Sequence, residues 1–355
     1  MEIVIAKSNK LKRQYIKLLY SIYKGDTCYV DTAVFNLKTL LYGKSSFAKS
    51  IEVIPVLVED GGIFCGEGMI FYSEGDTATL GYLECRETRL GAINKIIEYA
   101  VNWGKSKGIK KLFVGVNAHI SYGVGILDDS FSEKISFDSL YCKPWIKDVF
   151  AGYEYKTLTT YRTDDIKDGM TKIPDYGGGE ITVRKMDMRK FKEELLLLNA
   201  LCNQTLDSTD MFEKTGSGHM FELIGGMKPL LRPENLLFVM QGGKEKGFLF
   251  WHPDYNSILP PGRRNSALGI AARYFLKKHK ITKYKINCIG VLPAYQSTKL
   301  TLTLLKFFVS VLPRQAETVD TTFIWDSNEK SSRLARRFFK ENRHYKVYQI
   351  DVPHS

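Results

Sequence analysis

The hydrophobic and polar positions of this chain predict the same order of elements twice. The first half begins with helical spacing over Lys10–Tyr23. Two alternating apolar runs follow, IPVLVED and GEGMIFYS, which Gly61 and Gly62 join as a hairpin. A strand near Thr79–Glu84 precedes a helix over Leu90–Lys107. Two further strands, KKLFVGVN and YEYKTLTTYR, complete this half.

The second half repeats that order. Its predicted elements are the strand ITVRKM, the helix Met188–Cys202, a hairpin that turns at Gly242 and Gly243, the strand KINCIGVLP, the helix Lys299–Leu312, the strand TTFIWD, the helix Glu329–Lys340 and the strand YKVYQIDV. Strands that precede helices on a shared sheet predict an α/β or mixed α+β fold. A tandem duplication explains the repetition most simply. The Asp-, Gly- and Pro-rich stretch 166–180 then separates a first domain, 1–165, from a second, 181–355.

The charge of the chain is uneven. The 355 residues carry a net charge of +12, yet residues 1–180 hold 23 basic and 23 acidic residues, so the whole excess lies beyond them. This asymmetry favours a polyanionic ligand such as a nucleotide-like cofactor or RNA, with a merely solvated basic surface as the alternative. Six scattered cysteines without a C-x-x-C pair predict reduced thiols in the cytoplasm. The longest apolar stretch, Leu300–Leu312, is too short to span a bilayer, so no membrane partner is expected.

Several short motifs together resemble the GNAT acyltransferase superfamily. They are GYLEC, VGVNAHISYGVGIL, WHPDYN, IGVLPAYQ and WDSNEKSSRLARRF. The resemblance covers nearly the whole chain and implies two GNAT-like domains in tandem. Each domain is then expected to have a mixed sheet whose two central parallel strands splay apart, after Asn117 in the first half and after Val291 in the second.

The resemblance also implies acyl-CoA or acetyl-CoA, bound between the splayed strands of the second domain. The implied contacts are Val291 for the pantetheine, the loop Gln296, Ser297, Thr298, Lys299 and Thr301 for the pyrophosphate, and Asn328 for the cofactor arm. In this loop Lys299 stands where the family pattern has glycine, and its ammonium and the neighbouring hydroxyls would take over the anion contacts. The alternative is that the loop only starts a helix. The first domain is expected to bind no cofactor.

Candidate substrate contacts lie at predicted strand ends. In the resembled family the P-D-x-N element is characteristic, which makes Asp254 and Asn256 the candidate catalytic residues, with His252 as a substrate contact. The alternative is an Asx-turn that closes the strand, with His252 half-buried. Glu84 and Asn117 are expected to shape the substrate cleft.

Three further residues limit the chemistry. Cys85 is expected to be a buried thiol, because no base is visible beside it in the sequence. Phe338 and Phe339 stand where many GNAT enzymes carry a tyrosine as general acid. No histidine pair has metal-ligand spacing, so no metal is expected.

The expected function is therefore transfer of an acyl group from acyl-CoA to an amine of a small metabolite, by direct attack in the second domain. A second hypothesis is an aminoacyl-tRNA-dependent transferase, in which the basic half holds tRNA. A third is a binding protein that keeps the cleft without catalysis.

Overall fold

The computed structural model describes residues 1–31, 34–166, 180–296 and 299–353. The elements of the first half are β1 (Glu2–Ile5), α1 (Asn9–Ile22), α2 (Val34–Leu41), β2 (Glu52–Asp60), β3 (Ile63–Tyr72), β4 (Thr77–Cys85), α3 (Gly91–Lys107), β5 (Lys111–Val114), β6 (Ile126–Leu127), α4 (Pro144–Asp148) and β7 (Glu154–Thr163). Those of the second half are β8 (Ile181–Lys185), α5 (Phe191–Thr205), α6 (Ser217–Gly225), β9 (Leu236–Gln241), β10 (Lys244–Pro253), α7 (Ala267–Lys277), β11 (Lys283–Val291), α8 (Leu300–Val311), β12 (Thr318–Thr321), β13 (Ile324–Trp325), α9 (Glu329–Phe338) and β14 (Lys340–Asp351).

The predicted order of hairpin, strand, helix, strand, helix and strand occurs in both halves, and a strand and two helices precede it in each half. Two predicted strands are shorter than expected. KKLFVGVN ends at Val114, because Gly115 follows with φ +100, outside the range of a strand. Of TTFIWD, only Thr321 lies in β12, which begins at Thr318, and Ile324–Trp325 forms β13. The elements β1, α2, β6 and α7 were not predicted from the sequence.

The chain forms two compact units, and each contains more than one segment of sequence. Unit 1 comprises Met1–Thr159, Pro260–Asn265 and Arg343–Ser355, and unit 2 comprises Thr160–Leu259 and Ser266–Asn342. The C-terminal strand β14 thus belongs mostly to unit 1, whereas the sequence analysis assigned 181–355 to one domain. Most of the expected boundary 166–180 lies outside the described residues, and a linker there stays a prediction.

Unit 1 contains a mixed sheet in the order β1-β2-β3-β4-β5-β14. Its one parallel pair among these strands is β4 with β5, and the pairing ends at Leu80 opposite Val114. Beyond that point β4 continues to Cys85 while β5 has ended. The two strands therefore separate near the middle of β4.

Unit 2 repeats the arrangement in the order β8-β9-β10-β11-β12. The parallel pair is β11 with β12, and its pairing ends at Ile286 opposite Thr321, although β11 continues to Val291. A separating parallel pair in each half is thus confirmed, but the separation begins before Asn117 and Val291, where it was expected.

Both separating strands carry a β-bulge at the point of separation. In β4, Tyr82 and Leu83 together oppose Gly68 of β3, and Tyr82 has φ +47. In β11, Asn287 is the extra residue opposite β10. A bulge bends its strand and increases the local twist, which helps the two parallel strands to part.

The helix after each separating strand packs its apolar face on the sheet. In α3 the buried positions Ala92, Ile93, Ile96, Ile97 and Ala100 follow helical spacing, and Gly108 ends the helix in the left-handed conformation. Among the described residues, no helix is long and apolar enough to cross a membrane.

The close packing at the separation point of unit 1 predicts a large effect of one added methyl group. A Cβ at Gly81 would lie 2.4 Å from both the Asn117 Oδ1 and the Val116 backbone oxygen. We expect Gly81→Ala to lower the free energy of unfolding by about 1–3 kcal/mol, measured by urea denaturation. Gly226→Ala is the control, because no atom lies within 4 Å of a Cβ there, and an equal loss in the two variants would contradict the prediction.

Candidate active site in unit 1

A cavity of about 90 Å³ lies in unit 1 where β4 and β5 separate. Gly81, Tyr82 and Glu84 line it from β4, and Asn117 lines it from the segment that follows β5. Most of the other lining side chains are apolar or aromatic. The cavity therefore offers a small, largely apolar space with one carboxyl group in its wall.

Glu84 is the ionisable group of this wall. Its side chain is 8% exposed, and its Oε1 accepts a hydrogen bond of 2.5 Å from the Tyr23 hydroxyl. Its Oε2 is buried and has no hydrogen-bond partner among the described residues. Burial raises the pKa of Glu84 to about 8, against the opposing effects of the Tyr23 hydrogen bond and of Lys143. Glu84 thus titrates close to neutral pH.

A second buried carboxyl group lies on the neighbouring strand. Glu67 of β3 pairs directly with Glu84 of β4 and is 1% exposed. Burial and the charge of Glu84 raise the pKa of Glu67 well above its usual value. Two like charges opposite one another on adjacent strands repel, so at least one of these groups holds a proton.

Three tyrosines and a lysine surround the carboxyl group. Tyr23 stacks on Tyr29 with ring centroids 3.9 Å apart, and Tyr141 lies 6.0 Å from Tyr23. The Lys143 ammonium lies 5.5 Å from the Tyr23 ring centroid and 2.5 Å from the Asp26 Oδ2. Aromatic faces and a carboxyl group are both suited to contact a cationic or amine group.

Asn117 bridges the separated strands. Its Oδ1 accepts a hydrogen bond of 2.8 Å from the Tyr82 backbone N–H, which has left the strand ladder at the bulge. The Tyr82 backbone oxygen in turn accepts from the Tyr15 hydroxyl at 3.2 Å. The predicted pair Glu84 and Asn117 therefore does lie in one cavity, and Asn117 fixes the backbone beside it.

The segment after β4 leads directly into the N-terminus of α3. It reads Arg86-Glu87-Thr88-Arg89-Leu90-Gly91, and Leu90 at the N-cap provides no side-chain hydrogen bond. Uncapped N–H groups at a helix start attract anions. This segment was not among the sites predicted from the sequence, which expected the first domain to bind no cofactor.

The predicted catalytic residues of unit 2 lie away from its strand separation. The Asp254 backbone N–H donates to the Lys283 oxygen at the first residue of β11, whereas the separation opens towards Val291 at the other end. The pairing of β11 with β12 ends at Ile286, so three residues of strand, roughly 10 Å, lie between Lys283 and the start of the separation. Asp254 Oδ1 accepts a hydrogen bond of 3.1 Å from the Asn256 backbone N–H, so the Asx-turn interpretation is confirmed.

His252 shares this remote position. It is buried, and it pairs across the strands with Lys285. Burial, together with the charge of Lys285, lowers the pKa of His252 to about 3. A histidine that remains neutral throughout the physiological range fits a packed strand position.

The predicted cofactor loop of unit 2 is only partly described. Val291 is buried at the end of β11, Lys299 precedes the first residue of α8, and Thr301 lies in the first turn of that helix. Gln296 ends the short 3₁₀ turn after β11, and Ser297 and Thr298 lie outside the described residues. Asn328 caps α9, accepting from the Ser331 N–H at 3.2 Å, and its contact with a cofactor arm stays a prediction.

Two other predictions concern reactive groups. Cys85 is fully buried, which confirms a buried thiol, and burial raises the pKa of this thiol to about 12. In the described part of the chain, no group of three or more His, Cys, Asp or Glu side chains is arranged to hold a metal ion.

Comparison with known proteins identifies the fold. No family model matches the chain, and no curated protein matches it either. The chain is similar over 100% of its length to a tandem GNAT protein from the clavulanic acid biosynthesis pathway, solved without acetyl-CoA, with a TM-score of 0.61, 11% identity and 99% of that chain covered.

Two further solved structures are similar. One is a GCN5-related N-acetyltransferase from Sphaerobacter thermophilus, with a TM-score of 0.52 and 11% identity, covering 99% of this chain and 97% of that one. The other is a GCN5-related glucosamine N-acetyltransferase region of a fungal multi-domain β-N-acetylglucosaminidase, with a TM-score of 0.56 and 12% identity. The similarity to the fungal protein covers 98% of this chain but only 38% of the longer one. The chain therefore has the tandem GNAT fold.

Several residues in and around the cavity were not predicted from the sequence. Tyr29 lines the cavity, Tyr23 donates to Glu84, and Glu67 pairs with Glu84 across the strands, yet none of the three was a candidate residue. The run LLYSIYKGDTCYV, which begins within α1, contains both tyrosines. A cluster of tyrosines beyond the end of a helix is an unusual composition for a loop. That signal, combined with the acidic strand end at Glu84, indicates this site.

The raised pKa of Glu84 predicts a pH dependence of stability. The folded protein keeps this proton while the unfolded chain, with the usual value of 4.5, releases it. The stabilising effect is thus complete below about pH 4.5 and is lost as the pH rises through about 8. We expect Glu84→Gln to make the free energy of unfolding less dependent on pH across this window, by urea denaturation at several pH values.

Glu74→Gln is the control for this measurement, because Glu74 is exposed in the connection between β3 and β4. A wild-type pH dependence in the Glu84→Gln variant would show that the folded protein does not retain the Glu84 proton.

Proposed function

We propose that the chain transfers an acyl group from acyl-CoA to a small primary amine, and that the transfer takes place in unit 1. The observation that carries this proposal is the buried Glu84 carboxyl group, which faces a cavity between two separating parallel strands. In unit 2 the Asp254 and Asn256 candidates lie at the opposite end of β11 from the strand separation. Unit 1 is therefore preferred over the second domain that the sequence favoured.

Glu84 serves as the proton acceptor in this proposal. When ionised, its carboxylate takes the proton that the amine loses as the nitrogen forms a bond to the acyl carbonyl carbon. The Tyr23 hydrogen bond holds the carboxylate in one orientation, and the tyrosine faces around it accommodate the amine. The acyl thioester supplies the electrophilic carbonyl and leaves a thiolate.

The bulge in β4 provides a backbone hydrogen-bond donor for the proposed reaction. Tyr82 and Leu83 have left the ladder with β3, and the Tyr82 N–H is taken by Asn117. The Leu83 N–H is then the backbone donor for the carbonyl oxygen, where negative charge develops during the transfer. Fixing Tyr82 through Asn117 keeps this donor in place without reorganisation.

The cofactor would lie between β4 and β5, with its phosphates at the start of α3. The uncapped first turn of α3, together with Arg86 and Arg89, supplies N–H donors and positive charge there. Both arginines have local partners, since Arg86 donates to the Ser21 Oγ at 3.0 Å and Arg89 lies 2.8 Å from the Asp60 carboxylate. The loop at Lys299 is the equivalent site of unit 2.

This proposal predicts a loss of transfer with little loss of binding. We expect Glu84→Gln to lower kcat/KM by about 10²–10⁴ and to remove a rise in kcat/KM that has an apparent pKa near 8 in the wild type. Release of free thiol from acetyl-CoA with a panel of small primary amines measures the rate. Calorimetry with acetyl-CoA and longer acyl-CoAs measures cofactor binding.

Lys299→Glu is the matched variant in unit 2, and it should leave the rate nearly unchanged. The opposite result, full activity in Glu84→Gln and none in Lys299→Glu, would move the chemistry to unit 2. Undetectable cofactor binding at millimolar acyl-CoA, with the protein folded, would contradict acyl-CoA dependence.

A tRNA-dependent transferase is the second candidate function. The supporting observation is that Arg333, Arg336 and Arg337 are all exposed on α9, where their spacing places them on one side of the helix. Acidic residues offset part of this charge, because Arg333 lies 3.3 Å from Glu329 and Arg336 lies 3.0 Å from Glu341.

Salt dependence distinguishes the two functions. A tRNA held through several phosphates loses affinity with a log–log slope of about 0.7–0.9 per phosphate, whereas CoA offers few charges. If tRNA is the ligand, reversing the charge of the three α9 arginines should abolish a gel shift with bulk tRNA. Reversing three exposed cations of unit 1 (Lys7, Lys10 and Arg13) should not. The absence of any shift at low salt would exclude this function.

A further inference from the structure

The connection between β10 and β11 has no equivalent in unit 1. The corresponding strands β3 and β4 are joined by the four residues 73–76, whereas β10 and β11 are joined by the 29 residues 254–282. This longer connection contains α7, which the repeated order of elements does not require. The repeated fold therefore does not account for a helix between β10 and β11.

Helix α7 contacts its unit through one side and exposes an apolar stripe on the other. Tyr274 is its only buried residue, and its ring packs on Tyr255 at 5.3 Å between centroids. Leu268 is 85% exposed, Phe275 55% and Leu276 73%. The spacing of these three, at i, i+7 and i+8, places them on one face of the helix.

Cations lie beside this stripe. Arg273 is in the middle of the helix, and the exposed residues Lys277, Lys278 and Lys280 follow its apolar face at the C-terminal end. None of these three lysines forms an ion pair with any residue that the structure describes. The whole run 255–316 contains eleven basic residues and no acidic one. Lysines at a helix C-terminus stabilise the helix dipole, but that effect does not explain the exposed leucines.

We infer that α7 is an interfacial helix that binds the surface of an anionic lipid membrane. A short helix with large apolar side chains on one face and cations beside them lies in the plane of the headgroups, its apolar side chains reaching the acyl boundary. Anionic headgroups complement Lys277, Lys278 and Lys280, which are exposed at the C-terminal end of this helix. The sequence predicted no membrane partner from the lack of a spanning segment, which does not bear on surface binding.

The charge and shape of α7 favour a lipid membrane over other binding partners. A second copy would bring the same lysines together, and like charges would oppose the contact. A nucleic acid complements the lysines, but its phosphates make no use of aliphatic side chains such as Leu268 and Leu276. An acidic protein would need a groove matched to one projecting helix, whereas a fluid lipid surface accommodates it directly.

Vesicle binding of the full chain tests this inference. We expect the protein to sediment with vesicles of phosphatidylcholine mixed with phosphatidylglycerol at low salt, to bind pure phosphatidylcholine much more weakly, and to lose most of the binding at high salt. Leu268→Ser combined with Leu276→Ser should abolish sedimentation. Lys277→Gln combined with Lys278→Gln should weaken it by about fivefold for each lysine removed.

The controls match each variant. Ile63→Ser removes an apolar side chain that is 62% exposed in unit 1, and Lys10→Gln combined with Lys105→Gln removes two exposed cations there. All controls should bind as the wild type does. Amide hydrogen exchange of the unaltered chain gives an independent measurement, because vesicles should slow exchange across Ala267–Lys277.

Three results would overturn the inference. They are no sedimentation at low salt, wild-type binding by the double leucine variant, and unchanged exchange in α7 with vesicles present. Protection of α7 by bulk tRNA but not by vesicles would assign the basic surface to nucleic acid instead.

Discussion

The burial of the Glu84 carboxyl group is the constraint on which unit 1 depends. A carboxylate removed from water is costly unless donors or cations replace its hydration. Unit 1 supplies the Tyr23 hydroxyl at one oxygen and a cation at Lys143, but the other oxygen has no partner among the described residues. The protonated and ionised forms are therefore close in free energy near neutral pH. That balance is what a proton acceptor requires.

The strand separation that makes room for this carboxyl group creates a second cost. Parallel strands that part leave backbone groups without ladder partners, and buried backbone groups need partners. Asn117 resolves this at the bulge, because its side chain accepts from the Tyr82 N–H across the gap. The space for this contact exists only because Gly81 has no side chain. The cavity is thus held open by bonded groups rather than left as a packing defect.

Sequence reasoning predicted the framework well, because its signals are local. The apolar spacing of α3 and the Gly61–Gly62 hairpin depend only on neighbouring residues. The site depends on strand direction. Asp254 follows a strand antiparallel to β11, so it lies at the beginning of β11 and not where the strands separate. Tyr23 reaches Glu84 across 61 positions of sequence, a contact that no local pattern records.

The internal repeat distinguishes the elements that both units share from α7, which has no counterpart in unit 1. The bulge, the separating strands and the following helix occur in both units, so folding accounts for them without reference to a partner. The long connection with α7 occurs between β10 and β11 but not between β3 and β4, and the acid-free run of sequence begins with it. Exposed leucines on an added helix stabilise nothing within the described chain. Because neither the fold nor the repeat explains the exposed apolar side chains of α7, they are evidence that this helix binds a partner outside the chain.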